Sequence, residues 1–283
     1  EEKGSDVVRY WASTSHLGCD TAYSEDVLKI GGKLLNKLFN AAKFTCTNFD
    51  SLQYQPKTVI LDIKENLIFK KSDLWILSKL HKIIAKSEAE FEKFEYAKAR
   101  EAVEDFFWND FCDNYLEIAK VRAYGIKAQK YENIDLTDEE KTNIIKAQQS
   151  ALITLYHCLE TLLRLLAPFI PHLCEELFQA IFNQDNTSLS INSRGSWPNL
   201  EDHYKNDELA NNAKSMLEVI SHIRKFKSDN NISLRTQLKS FQIHGNSSFD
   251  GFLEDLRDVT NAQEIIINKT KNNQVEINSI TLL

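Results

Sequence analysis

Apolar residues recur three and four apart at Val27, Ile30, Leu34, Leu38 and Ala42, the stripe of an amphipathic helix. Ser24, Glu25 and Asp26 suit its cap and acidic first turn, so a helix is expected from Ser24 to near Thr45. After a polar connector containing Pro56, Ser72 and Asp73 open a second stripe at Trp75, Ile76, Leu80, Ile83 and Ile84, running to about Phe91. A third helix is predicted from near Tyr96 to Tyr124, stopped by Gly125. Thr137 with Glu140 forms a capping box for a fourth, which continues until Pro168, and Pro171 suits the first position of a fifth, ending near Phe182.

Five helices with short connectors imply an antiparallel bundle over residues 24–198. Ahead of it, residues 1–23 carry a short amphipathic segment around Val7, Val8 and Trp11 and then a loop. Behind it, "SRGSWPNL" at 193–200 is a linker, and residues 199–283 alternate differently: a helix from about Asn206 to Lys227, the strand "LKSFQIHG", a short helix over Phe249 to Val259, and the β-rich runs "EIIINK" and "VEINSITLL" around an Asn/Lys-rich turn at 268–273. The expected fold is therefore mainly α, a helical bundle followed by a small α+β domain of order αβαββ with a mostly antiparallel sheet.

Composition agrees with long helices and few tight turns, since 283 residues contain only four prolines and eight glycines. The five cysteines are widely spaced and form no C-x-x-C, which favours a reducing compartment and structural thiols over a metal site. No apolar run reaches the roughly 20 residues of a membrane span, so a cytoplasmic protein is expected. The chain opens at Glu1 in what reads as the middle of an element, and an excised piece of a longer protein is expected. Phosphate loops, nucleophile elbows and H-E-x-x-H are absent, and Asp105, Asp113 and Glu117, which flank aromatics, read as packing partners rather than acid/base groups. No catalytic residue and no metal ligand is assigned.

The net charge of −7 conceals basic faces. On the first helix Lys29, Lys33, Asn36, Lys37, Asn40 and Lys43 lie opposite the apolar stripe, and no acid intervenes between Lys29 and Lys43. A face carrying one sign of charge and amides suits a phosphate backbone. Lys120, Arg122, Lys127 and Lys130 form a second acid-free run, and Arg224, Lys225 and Lys227 a third. A lysine-rich chain also yields such runs by chance, and both readings stand on the pattern alone. Phe107, Trp108, Phe111, Cys112, Tyr115 and Ile118 cover half of the third helix and read as core, whereas Trp75 and Phe44 are better placed for stacking on a base.

Five segments, "SEDVLKIGGKLLNKLFNAAKF", "SDLWILSKLHKII", "FEYAKAREAVEDFFWNDFCDNYLEIAK", "TLLRLLAPFIPHLCEELF" and "GSWP", resemble in order and spacing the carboxy-terminal part of the valyl-tRNA synthetases, a family of class I aminoacyl-tRNA synthetases. "WNDFCDNYLE" resembles the valyl family more than its isoleucyl and leucyl relatives. The resemblance implies an anticodon-binding bundle that grips the anticodon stem and loop of a valine tRNA, with residues 1–23 as a stem-contact remnant. It places Asn36, Asn40, Lys43 and Trp75 near the anticodon, and Lys29, Lys33, Lys37, Lys120 and Arg122 against phosphates. Lys43 stands where relatives often carry arginine, which weakens bidentate base recognition there. The family's H-I-G-H and K-M-S-K-S signatures, which bind ATP and activate valine, are absent from these residues. The resemblance thus implies an inactive, cofactor-free, monomeric piece of a ligase that as a whole uses ATP and magnesium. The same bundle in an isoleucyl or leucyl enzyme, or a helical protein-interaction module, are the alternatives.

Overall fold

A computed structural model describes residues 4–49, 52, 57–182, 190–194, 197–245, 249–269 and 276–283. Pro56, residues 195–196 of the linker and 270–273 of the Asn/Lys-rich turn lie outside them. The described chain runs α1 (Ser5–Ala12), α2 (Glu25–Phe49), α3 (Val59–Lys64), α4 (Lys71–Glu92), α5 (Tyr96–Asp105), a π-helical segment (Phe106–Tyr115), α6 (Leu116–Tyr124), α7 (Asp138–Leu166), α8 (Pro171–Ile181), α9 (Ile191–Arg194), α10 (Asp207–Asp229), β1 (Leu238–Gly245), α11 (Leu253–Thr260), β2 (Ala262–Lys269) and β3 (Glu276–Leu282). The five bundle helices and the αβαββ order are as expected.

Local chemistry sets the boundaries. The Thr137 hydroxyl accepts from the Glu140 amide at 3.3 Å while the Glu140 carboxylate accepts from the Thr137 amide at 2.8 Å, closing the capping box of α7. Gly125 ends α6 at φ 56°, ψ −134°, where a Cβ would meet Gln148 Oε1 at 2.4 Å. Gln148 Nε2 in turn donates to the Ala123 carbonyl at 3.0 Å, satisfying one of the open acceptors at that helix end. Asp6 of α1 accepts from the backbone amides of His172 at 3.2 Å and Leu173 at 2.7 Å, a carboxylate placed on the positive end of α8.

Three features depart from expectation. The connector after α2 contains α3, whose buried Asp62 takes a 2.7 Å hydrogen bond with His157 of α7. The sheet has order β2-β1-β3, parallel between β1 and β2 and antiparallel between β1 and β3, so it is mixed rather than mostly antiparallel. The reason is α11: a helix between two paired strands makes a crossover, and crossovers return the chain parallel. Finally, Phe106–Tyr115 is wound as a π-helix rather than as the middle of one α-helix, with the Leu116 amide bonded back to the Phe111 carbonyl. Its buried residues Phe106, Phe107, Phe111, Cys112 and Tyr115 then recur four and five apart on one face. The wide aromatic arc of an α-helical wheel closes into a single buried strip.

That strip is the centre of the core. Phe106, Phe107, Phe111 and Tyr115 are fully buried, as are Trp75, Leu38 and Leu159 around them, each contributing about 1.5–3 kcal/mol through removal from water. Polar neighbours fix its orientation: Asp110 pairs with Lys79 of α4 at 3.4 Å, and the side-chain Oδ1 of Asn114 accepts from Arg224 of α10 at 3.3 Å. The same apolar cluster continues through Met216 and Ile220 of α10 to Phe241 of β1 and Phe252.

Candidate nucleic-acid interface

The apolar face of α2 packs inward through Leu28, Leu34, Leu38, Ala41 and Ala42, whereas Ile30 of the expected stripe is 45% exposed and lies with the solvent-facing side. Lys29, Lys33, Asn36, Asn40 and Lys43 are all exposed there, along about four turns of helix. Lys29 shares its charge with Asp26 at 3.1 Å, and this bond raises the ammonium's proton affinity. Lys37 is half-buried at the edge of the face, with its Nζ 6.0 Å from the centre of the Trp108 ring. Phe44 lies at the same edge, half-buried and edge-on against Tyr124 at 5.8 Å. Tyr124 is itself exposed, and Ile126 and Lys127 follow it at the surface.

The comparisons with known proteins bear on this arrangement. The family model described as the anticodon-binding domain of tRNA ligase matches residues 73–242, from α4 into β1. The chain belongs to that family. Among similar proteins, the valine–tRNA ligase of Rickettsia conorii is 42% identical over 99% of this chain, which spans 32% of that protein. The valine–tRNA ligase of Rickettsia felis is 42% identical over 94% of the chain and 29% of its own length. The chain thus spans about a third of the curated relatives it matches. A LeuRS–tRNA–LeuAMS ternary complex from Agrobacterium radiobacter K84 superposes with a TM-score of 0.47 at 20% identity, covering 74% of this chain and 20% of that one. The basic face on α2 precedes the residues matched by the anticodon-binding family model, while the ligase relatives extend over it.

Within this anticodon-binding domain two of the expected contact residues are not at the surface. Trp75 is 1% exposed, because it lies on the inward stripe of α4. Its ring belongs to the core and cannot stack on a base. Arg122 is also buried, and its guanidinium is enclosed by acids distant in sequence. Its Nη2 and Nη1 donate to Asp73 at 2.6 and 2.9 Å, and its Nε donates to Asp255 of α11 at 2.7 Å. Asp73 also accepts from Tyr115 at 2.8 Å and Ser150 at 2.6 Å, and Asp255 from Ser72. Every donor direction of the fork is used, so no phosphate can be bound there. Burial alone would lower the proton affinity of Arg122, but Asp255 and Asp73 outweigh it and hold the guanidinium charged. Burial raises the pKa of Asp255 despite Arg122, since two carboxylates share one cation.

Lys120 stays accessible but pairs with Glu117 at 3.3 Å on its own helix. Lys130 is drawn to Asp258 of α11 at 2.6 Å. In the third basic run Lys227 is 1% exposed, its Nζ donating to the carbonyls of Leu234, Thr236 and Thr260 at 3.0, 2.8 and 3.0 Å. It is a peg holding the turn after α10. The basic residues therefore divide: an exposed face on α2, with Lys127 and Lys225 also at the surface, and inward groups, of which Arg122, Lys130 and Arg224 tie the bundle to the C-terminal domain.

Residue-by-residue reading of the pattern overlooked Phe39. It is 49% exposed between Asn36 and Asn40, and the signal was present: an aromatic interrupting an otherwise polar face. Among the described residues no group of three His, Cys, Asp or Glu side chains is placed to hold a metal ion, and no helix is long and apolar enough to cross a membrane.

Proposed function

We propose that this chain is the part of a valine–tRNA ligase that binds the anticodon stem and loop of its tRNA. The single observation that carries the reading is the exposed, acid-free row Lys33, Asn36, Asn40 and Lys43, on a chain of the anticodon-binding family that is 42% identical to valine–tRNA ligases. Lysines spaced along one helix face follow a phosphate backbone, and asparagine amides can both donate to and accept from the edges of unpaired bases. Loop bases are the readable part, because the major groove of an RNA helix is too deep and narrow for side chains. Lys29 and Lys120, each shared with a neighbouring acid, and Lys37, held over Trp108, sit at the margins of the proposed contact. The chain's role in the ligase reaction is positional: by holding the far end of the tRNA it sets where the acceptor end reaches. ATP, magnesium and valine activation belong to the whole ligase in this proposal, and the chain acts as a cytoplasmic monomer.

The test is a fluorescence anisotropy titration against a valine tRNA transcript and one with its anticodon replaced, at two salt concentrations. Preference for the native anticodon is expected, with log K falling by about 0.7–0.9 per neutralised phosphate per decade of salt. Lys43→Ala should weaken binding and reduce that slope by about one contact. Equal binding of both transcripts with no salt dependence would overturn the reading.

A further inference from the structure

Among the described residues four large aromatics are more than a third exposed: Tyr23, Phe39, Phe94 and Tyr124. Three lean on another ring. Tyr23 lies 6.4 Å from Trp11, Phe94 lies 6.2 Å from Tyr96, and Tyr124 lies 5.8 Å from Phe44. Phe39 has no ring and no cation against it among the described residues. Its position is also distinctive. It follows Asn36 by three residues and precedes Lys43 by four, so both are its neighbours on the helix surface, roughly 5–6 Å away between Cβ atoms. Asn40 is adjacent, and all three neighbours are exposed.

A single exposed apolar residue is ordinary on a protein surface. A free aromatic face bracketed by two amides and an ammonium is a different object. It offers a π surface with hydrogen-bonding groups at its rim and no carboxylate to repel a phosphate. An unpaired base needs this combination: stacking for the ring, and polar groups for the edge. A protein partner docking on an apolar residue would more often bury it within a patch of others, and the exposed positions around Phe39, i−3, i+1 and i+4, are polar, while Leu35 at i−4 is half-buried and Ala42 at i+3 is in the core.

We infer that Phe39 is the stacking platform for one unpaired base of the RNA loop, with Asn36, Asn40 and Lys43 reaching that base's edge and its phosphate. The inference rests on the proposed RNA binding and specifies which side chain takes a base. It assigns the stacking role to Phe39 in place of Trp75, which is in the core, and of Phe44, whose ring is half-buried against Tyr124.

The experiment uses the full 283-residue chain, as wild type, Phe39→Leu and Phe39→Trp, with valine tRNA transcripts carrying 2-aminopurine at single anticodon-loop positions. Circular dichroism first establishes that each variant is folded, which a half-exposed position permits. For one loop position, wild type and Phe39→Trp should change the 2-aminopurine emission on binding, and Phe39→Leu should not. The affinity of Phe39→Leu should fall roughly 10-fold, the scale of one lost base–aromatic stack, while Phe39→Trp stays near wild type. If wild type binds with the expected salt dependence and Phe39→Leu matches it in affinity and emission, the stacking role is overturned and RNA binding stands. If Phe39→Leu weakens binding but no loop position reports stacking in the wild type, the role is likewise overturned. If wild type binds no transcript even at low salt, the RNA reading falls and the stacking role falls with it.

Discussion

Lys43 of α2 and Arg122 of α6 both belong to acid-free runs that include helical residues, and the same argument from charge assigns both to RNA. The fold separates them. Lys43 faces solvent with exposed neighbours Asn36 and Asn40, whereas Arg122 is enclosed by Asp73, Asp255, Ser72 and the Ala147 carbonyl. Absence of acids nearby in sequence says nothing about acids nearby in space, and Asp255 is 133 residues away. A local run of positive charge is thus equally compatible with an outward binding face and with an inward tie, and only the partners brought by other elements decide.

The largest difference should appear in stability. Arg122→Ala leaves two carboxylates buried without their cation and should cost about 3–5 kcal/mol in urea unfolding, against about 0.5 kcal/mol or less for Lys43→Ala. Comparable losses for the two would erase the distinction between tie and face. A half-buried group sharpens the cost of enclosure. His203 has its Nδ1 buried without a hydrogen-bond partner among the described residues. Burial, with smaller contributions from His157, His81 and Arg164, pulls its pKa from 6.5 to about 4. It is neutral in the folded chain and protonated in the unfolded chain between those values, so its contribution is fully present above pH 6.5 and is lost as pH falls toward 4. Unfolding free energies from urea titrations at pH 4.5 and 7 should differ more for wild type than for His203→Gln, by about 2 kcal/mol after allowance for its partial exposure. Lys37 lies between the two cases, half-buried over Trp108. Lys37→Ala should cost about 0.5–1 kcal/mol, and thermal unfolding beside Lys37→Arg, which keeps the cation, measures it.

How far the sequence could be read follows the range of the interactions. The start of α7 is set by Thr137 and Glu140, three residues apart, and was legible as a capping box. The stop at Gly125 was legible for the same reason, since only glycine tolerates that backbone. The exposed row from Lys29 to Lys43 followed from periodicity, because α2 is regular throughout. Trp75 and Arg122 were misplaced because their surroundings come from remote segments: the α4 stripe turns inward against the bundle, and the acids around Arg122 arrive from α4 and α11. The parallel pairing of β1 and β2 depends on where α11 packs, which alternation within each strand does not encode. The π-helix escaped because a 100° wheel presupposes the turn it is used to find.

That last feature governs more than its own ten residues. A π turn holds more residues than an α turn, so the segment changes the phase with which α5 hands the chain to α6. The same residues rewound as α-helix would rotate α6 by about 100° or more about its axis, since an α residue turns further than a π residue. Arg122 would swing off its two acids, and Tyr124 and Lys127 would leave their present side of the molecule. The aromatic segment therefore works as a phase-setting coupling: its length in residues, as much as its side chains, aligns the tie to the tail with the surface beside α2.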